Sequence, residues 1–197
     1  MALKHLAMLK FLSSKDVDVV AILESKLDLF SIEGLIKQNL EVGISHNFNT
    51  HSAGRVLLLW KDGRVLLEVI DSSPQAMNCK ITCKITGTYF WASFVYGLHS
   101  ICARKLLWDS LSAFKSMLVG PWIIMGNFNS VLSPNDRANG SPISAYKMND
   151  FTFCCSDLGL QELKVCGRPF SWTNGCTWSK LDRALCNLDW TTSFKIT

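Results

Sequence analysis

Apolar positions along this chain switch repeatedly between a period of two and a period near 3.6, so strands and helices are interleaved. Leucines at 3, 6, 9 and 12 predict a helix over 2–14, and a short apolar run at 17–23 predicts a buried strand ending at Glu24. Strands are expected at 56–60 and 65–70, joined by the hairpin signal Lys61-Asp62-Gly63-Arg64. Cys79, Ile81, Cys83 and Ile85 alternate with Lys80, Thr82 and Lys84, the pattern of a half-buried strand over 79–85, and a further strand follows at 89–96. Leu106, Leu107, Leu111, Phe114 and Leu118 form the apolar face of a helix over 103–119, which Gly120-Pro121 stops. A strand at 122–126, a surface loop marked by Ser133-Pro134 and Ser141-Pro142, and a helix over 145–158 ending near Gly159 come next. Short strands at 170–173 and 181–186 are expected either side of an Asn174-Gly175 turn. Many short strands with few helices predict mixed sheets flanked by helices, an α+β architecture rather than a regular βαβ array.

The strand at 122–126 ends on Gly126-Asn127-Phe128-Asn129. Period-two alternation would set Asn127 and Asn129 on the same side. Gly126 would allow a tight turn or close approach to a ligand. A carboxamide pair at a strand end can orient a phosphate or weakly coordinate a cation, but takes no proton at neutral pH.

Composition narrows the classes. The 197 residues suit a single domain spanning 1–197, with 48% apolar and 18% charged residues, which argues against disorder. The net charge of +4 is compatible with nucleic acid, yet no basic run marks a polyanion surface. No apolar stretch reaches the length of a membrane span, and the opening residues lack a signal-peptide core, so a soluble, non-secreted, reducing setting is expected. The eight cysteines then read as thiols. Cys79, Cys83, His99 and Cys102 have zinc-binding residue types, but the strand alternation favours a core role for the first two. Trp172, Trp178 and Trp190 could stack bases; core packing is preferred because few basic residues are interleaved with them.

Glu24, Tyr96 in Phe94-Val95-Tyr96-Gly97, the Gly126-Asn127-Phe128-Asn129 segment and Lys180-Leu181-Asp182-Arg183 occur in an order that resembles the endonuclease/exonuclease/phosphatase superfamily. Val19-Val20-Ala21-Ile22-Leu23-Glu24, Leu58-Leu59-Trp60-Lys61-Asp62-Gly63 and Gly167-Arg168-Pro169-Phe170-Ser171-Trp172-Thr173-Asn174-Gly175 bring the resemblance closest to the endonuclease domain of plant LINE-type, non-LTR retrotransposons. The resemblance implies a DNase I-like, two-sheet β-sandwich flanked by helices, in four layers α/β/β/α, that hydrolyses phosphodiesters of DNA with a divalent metal, usually magnesium. It makes Glu24 the metal ligand and Tyr96 a contact to the scissile phosphate. Asn129 would hold the phosphate or the attacking water, and Asp182 would orient a catalytic histidine. Asn127 joins these as the catalytic-motif residue, Trp172 as a substrate-binding residue, and the nucleus is the implied location.

Two departures bear on activity. The family motif is Gly-Asp-Phe-Asn, and Asn127 stands where the aspartate is expected. The family's first strand, with its Asn metal-site residue, and its last strand, with Ser-Asp-His, have no counterpart here. The expectation is therefore a degenerate, inactive phosphodiesterase domain. Its alternatives are a weak magnesium-dependent endonuclease and a non-catalytic nucleic-acid-binding relic. Asp182 could also serve only as a local ion pair with Arg183.

Overall fold

The computed structural model describes residues 17–24, 34, 41–48, 56–164 and 166–194; the helix expected over 2–14 lies outside them. Six strands build the larger sheet, in the spatial order Val65–Ser72, Ala76–Cys83, Tyr89–Tyr96, Trp122–Asn127, Asp182–Cys186 and Gln161–Glu162, and three build a second sheet in the order Val19–Leu23, Val56–Lys61 and Val42–His46. These are β1 (Val19–Leu23), β2 (Val42–His46), β3 (Val56–Lys61), β4 (Val65–Ser72), β5 (Ala76–Cys83), β6 (Tyr89–Tyr96) and β7 (Trp122–Asn127), with β9 (Gln161–Glu162) and β12 (Asp182–Cys186). Two helices, α1 (Ile101–Met117) and α2 (Ala145–Leu158), pack on the face of the larger sheet turned away from the second sheet, while α3 (Leu188–Ser193) follows β12. A small ribbon, β10 (Trp172–Thr173), β11 (Trp178–Ser179) and β8 (Arg137–Ala138), forms a third sheet. Two sheets with flanking helices make this an α+β sandwich, as the interleaved periodicities suggest.

Alternation explains how the layers meet. Met77, Cys79 and Ile81 on β5, and Ala92, Phe94 and Tyr96 on β6, face the second sheet and pack with Val56 and Leu58 of β3. Val95, Trp122 and Ile124 face the helices and pack with Leu107, Leu111 and Phe114 of α1. The larger sheet is thus buried on both sides around β6 and β7, which are its parallel pair; α1 is the crossover between them. That crossover brings the carboxyl ends of two neighbouring strands to one edge of the sandwich.

Several expectations need correction. The Asn174-Gly175 turn joins β10 to β11, not to β12; Asn174 Oδ1 accepts from the backbone N–H groups of Cys176 and Thr177 and closes the turn there. The strand expected at 79–85 runs instead from Ala76 to Cys83, because Gly87, at φ 71°, donates to the Cys83 carbonyl and turns the chain. Trp172 and Trp178 are exposed, so only Trp190 follows the core-packing expectation, against Phe90 and Phe194. Both rings sit on the small ribbon outside the two main sheets, whereas α3 packs Trp190 against Phe90 of β6. Cys79 is fully buried within β5 and all eight cysteines are free thiols.

Candidate active site

Strand register assembles the site. In the parallel pair, Tyr96 lies opposite Asn127, and in the antiparallel pair of β7 with β12, Asn127 lies opposite Asp182. Cross-strand partners share a face, so the three side chains form one row at the end of the sheet, on the sandwich side. Glu24 arrives from the other sheet: it follows β1 and accepts a hydrogen bond from the Tyr96 hydroxyl. Its backbone is left-handed, at φ 51°, which turns the chain out of β1 at that point.

The register also dictates a glycine. Gly126 sits opposite Val95 with φ 142°, and a Cβ there would lie 2.0 Å from the Val95 carbonyl oxygen. The close approach is therefore to a neighbouring strand. The chain then leaves the strand. Gly97 donates to the Asn127 carbonyl at 2.7 Å, and Phe128 donates to the Leu181 carbonyl at 2.9 Å. Phe128 is fully buried and stacks on Phe151 at 4.7 Å between ring centroids. Asn129 is left-handed at φ 47°, so simple alternation does not relate it to Asn127. What links them is a turn in which Asn127 Oδ1 accepts from the Asn129 backbone N–H at 2.8 Å. The Asn129 carboxamide donates to the Gly97 carbonyl at 2.7 Å and lies beside the Tyr96 hydroxyl.

Two organisers escaped the sequence reading. Arg104 is only 3% exposed, and its guanidinium donates to the carbonyls of Leu98, His99 and Asn129 while its Nε lies 3.4 Å from Asp150. Gln75 donates to the Ala103 carbonyl, accepts from the Leu98 N–H and, through its own carbonyl, from the Tyr96 N–H. Together they clamp the loop after β6 to the loop after β7. A lone arginine within a helical face, with no motif around it, carries no signal of that role in sequence.

Burial, the hydrogen bond to Glu24 and the Glu24 charge, in that order, push the Tyr96 hydroxyl up to about 12, with the Asn129 carboxamide pulling the other way. Tyr96 is thus a neutral donor across the physiological range. Asn127 Nδ2 makes no hydrogen bond to any described residue and remains available as a donor. The Asp182 carboxylate is exposed and likewise makes no hydrogen bond to a described residue. Its neighbour Arg183 does not pair with it. Adjacent strand residues face opposite ways, and Arg183 is buried against Asp136 at 2.5 Å and Glu162 at 2.8 Å. The local ion-pair reading of Asp182 therefore fails. Trp172 lies outside the row, on the ribbon, which joins β12 through Ser171; that hydroxyl oxygen accepts from the N–H groups of Leu181 and Asp182.

Residues 1–196 match the Endonuclease/Exonuclease/phosphatase family. The chain belongs to that family. No curated protein sequence matches it. Solved structures of the family's fold are similar. The endonuclease domain of TRAS1, a telomere-specific non-LTR retrotransposon, superposes with a TM-score of 0.69 at 12% identity, over 95% of this chain and 79% of that one. The AP endonuclease LMAP from Leishmania major gives 0.68 at 10% identity, over 94% and 74%. TDP2 of D. rerio, complexed with a single-strand DNA product, gives 0.61 at 11%, over 94% and 77%. At such identities these likenesses establish the DNase I-like fold.

Proposed function

We propose that residues 1–197 form one LINE-type endonuclease domain that engages the phosphodiester backbone of DNA in the nucleus but has lost nearly all hydrolytic power. The LINE and plant descent rests on the ordered motifs between Glu24 and Arg183. The observation that carries the loss is Asn127: it occupies the middle of the row, is neutral, and has its Oδ1 engaged by the Asn129 N–H. An amide there can donate to a phosphate oxygen but cannot accept a proton from water. Tyr96 and Asn129 position the phosphate, Asp182 has no imidazole hydrogen-bonded to it among the described residues, and Trp172 offers an exposed ring to a base. A positioned acid–base group is worth roughly 10² to 10⁴ in rate, so an amide at Asn127 removes that much.

Magnesium is the cation we assign to Glu24. The carboxylate is exposed, one oxygen takes the Tyr96 hydroxyl, and the other is a hard donor of the kind magnesium accepts. Among the described residues no group of three or more His, Cys, Asp or Glu surrounds a cation position, so Glu24 would serve with water and substrate oxygens. A bound divalent ion would neutralise charge on the phosphate oxygens. No helix among the described residues is long and apolar enough to cross a membrane.

Nicking of supercoiled plasmid by the folded chain, with magnesium or EDTA, tests the reading. Background nicking is expected for the parent and for Asn127→Asp alone. Cleavage that needs both magnesium and Glu24, and disappears in Glu24→Ala, would establish the weak-endonuclease alternative instead.

A further inference from the structure

Beside the row lies a cavity of about 390 Å³, lined by His99, Asn129, Ser130, Arg137 and Lys147 among others. It is within the size range of small-molecule sites, large enough for a phosphate with its sugar. Three observations set it apart. First, no carboxylate lines it, although three cations, Arg104, Arg137 and Lys147, do. Arg137 donates only its Nε, to Ser179 Oγ at 3.4 Å, and neither its terminal nitrogens nor Lys147 Nζ has an acceptor among the described residues. Second, Ser130 is 5% exposed, yet its Oγ has no hydrogen-bond partner. A buried hydroxyl without a partner costs free energy that a ligand acceptor would recover. Third, Asn129 lines the cavity while its carboxamide lies beside Tyr96, so one residue borders both the cavity and the row.

Arg104 also lines the cavity, but its guanidinium is committed to three carbonyls and Asp150. It shapes the wall without adding free charge. Arg137 and Lys147 have no such commitment. Placing two uncompensated cations around one cavity raises its affinity for anions.

We infer that this cavity is a second phosphate subsite, which takes the neighbouring phosphate of the strand whose diester lies on Tyr96 and Asn129. Arg137 and Lys147 supply the charge, and Ser130 donates its hydroxyl. The inference rests on the phosphodiester-binding reading above and narrows it: the preferred substrate is a polynucleotide carrying at least two consecutive phosphates, not an isolated diester.

The test is competition in EDTA, which needs no catalysis. A rhodamine-labelled oligothymidylate decamer bound to the folded chain is displaced by dTpdT, with one phosphate, or by pdTpdT, with an added 5′-phosphate. The added phosphate should improve competition about tenfold, the scale of one charge-assisted hydrogen bond. Arg137→Gln with Lys147→Gln should abolish that advantage and flatten the salt dependence of decamer binding. Lys147→Gln alone, on an exposed helix position, should reduce it severalfold and serves if the double variant does not fold. Decamer binding with no advantage for pdTpdT, or an advantage that survives in the variants, overturns the subsite while leaving phosphodiester binding intact. Failure of the decamer to bind overturns the subsite and the proposed function together.

Discussion

The two sides of the candidate site are built to different standards. On the larger sheet, Asn129 is fixed by its N–H on Asn127, its carboxamide on Gly97 and its carbonyl on Arg104, while the intervening Phe128 is sealed under Phe151 and Trp108. Opposite it, Glu24 is exposed at the end of a strand from the other sheet, and the hydrogen bond from Tyr96 is its link across the gap. Both residues have left-handed backbones, yet one is over-determined by its surroundings and the other has, among the described residues, the Tyr96 hydrogen bond alone. A phosphate-holding group gains from preorganisation, since its geometry must be set before substrate arrives. A metal-binding carboxylate tolerates more freedom, because the cation and its waters complete the coordination.

That contrast can be broken from the rigid side first. Phe128→Ala removes a fully buried ring from an aromatic stack and should cost about 4 kcal/mol of stability, read from the midpoint of urea unfolding. Arg104→Met keeps the volume but removes the clamp and leaves the Asp150 charge without its cation, with the Trp108 indole N–H still donating to it. About 3 kcal/mol is expected, at the low end for a broken buried pair because the Asp150 side chain is 15% exposed. Decamer binding should weaken with it, since the Asn129 carbonyl loses its anchor. An Arg104→Met protein as stable as the parent would remove the basis for the contrast.

The loose side predicts a small change in stability and a spectroscopic one. Glu24→Gln should alter stability by less than about 1 kcal/mol, as expected for an exposed charge. It should also lower the ionisation of Tyr96 from about 12, followed at 295 nm among the three tyrosines. The fall should be partial, because burial is the first cause of the shift and remains. The linked effect on folding has a definite sign. A tyrosine whose folded value is raised retains its proton in the folded state while the unfolded chain has lost it. Its contribution is therefore intact below the ordinary value near 10 and is lost as pH rises towards about 12. In Glu24→Gln that alkaline loss should still begin near 10 but end at lower pH and be smaller, because only the folded value falls.

Much of the architecture was legible. The strands over β3, β4, β6 and β7 and the two long helices follow from periodicity, since burial on one face imposes it directly. Of the ribbon only β10 was anticipated, within the strand expected at 170–173, because two-residue strands carry no period, and β2 escaped notice because Gly43 and Ser45 interrupt its apolar run. The site residues were legible as motif members, but their mutual geometry was not. That Asn127 answers the N–H of Asn129, and that Arg183 turns its back on Asp182, depend on chain direction and register.

Sequence alone determined the alternation of elements, the glycine before Asn127 and the neutral residue at that position, because these are local properties of chemistry and backbone sterics. Tertiary structure alone decided that Tyr96, Asn127 and Asp182 form a row, that Glu24 meets them from another sheet and that Arg104 binds the loops together. It also decided that Arg137 and Lys147 share an uncompensated cavity. Each of these joins residues distant along the chain, and only the pairing of strands and the packing of layers sets such distances.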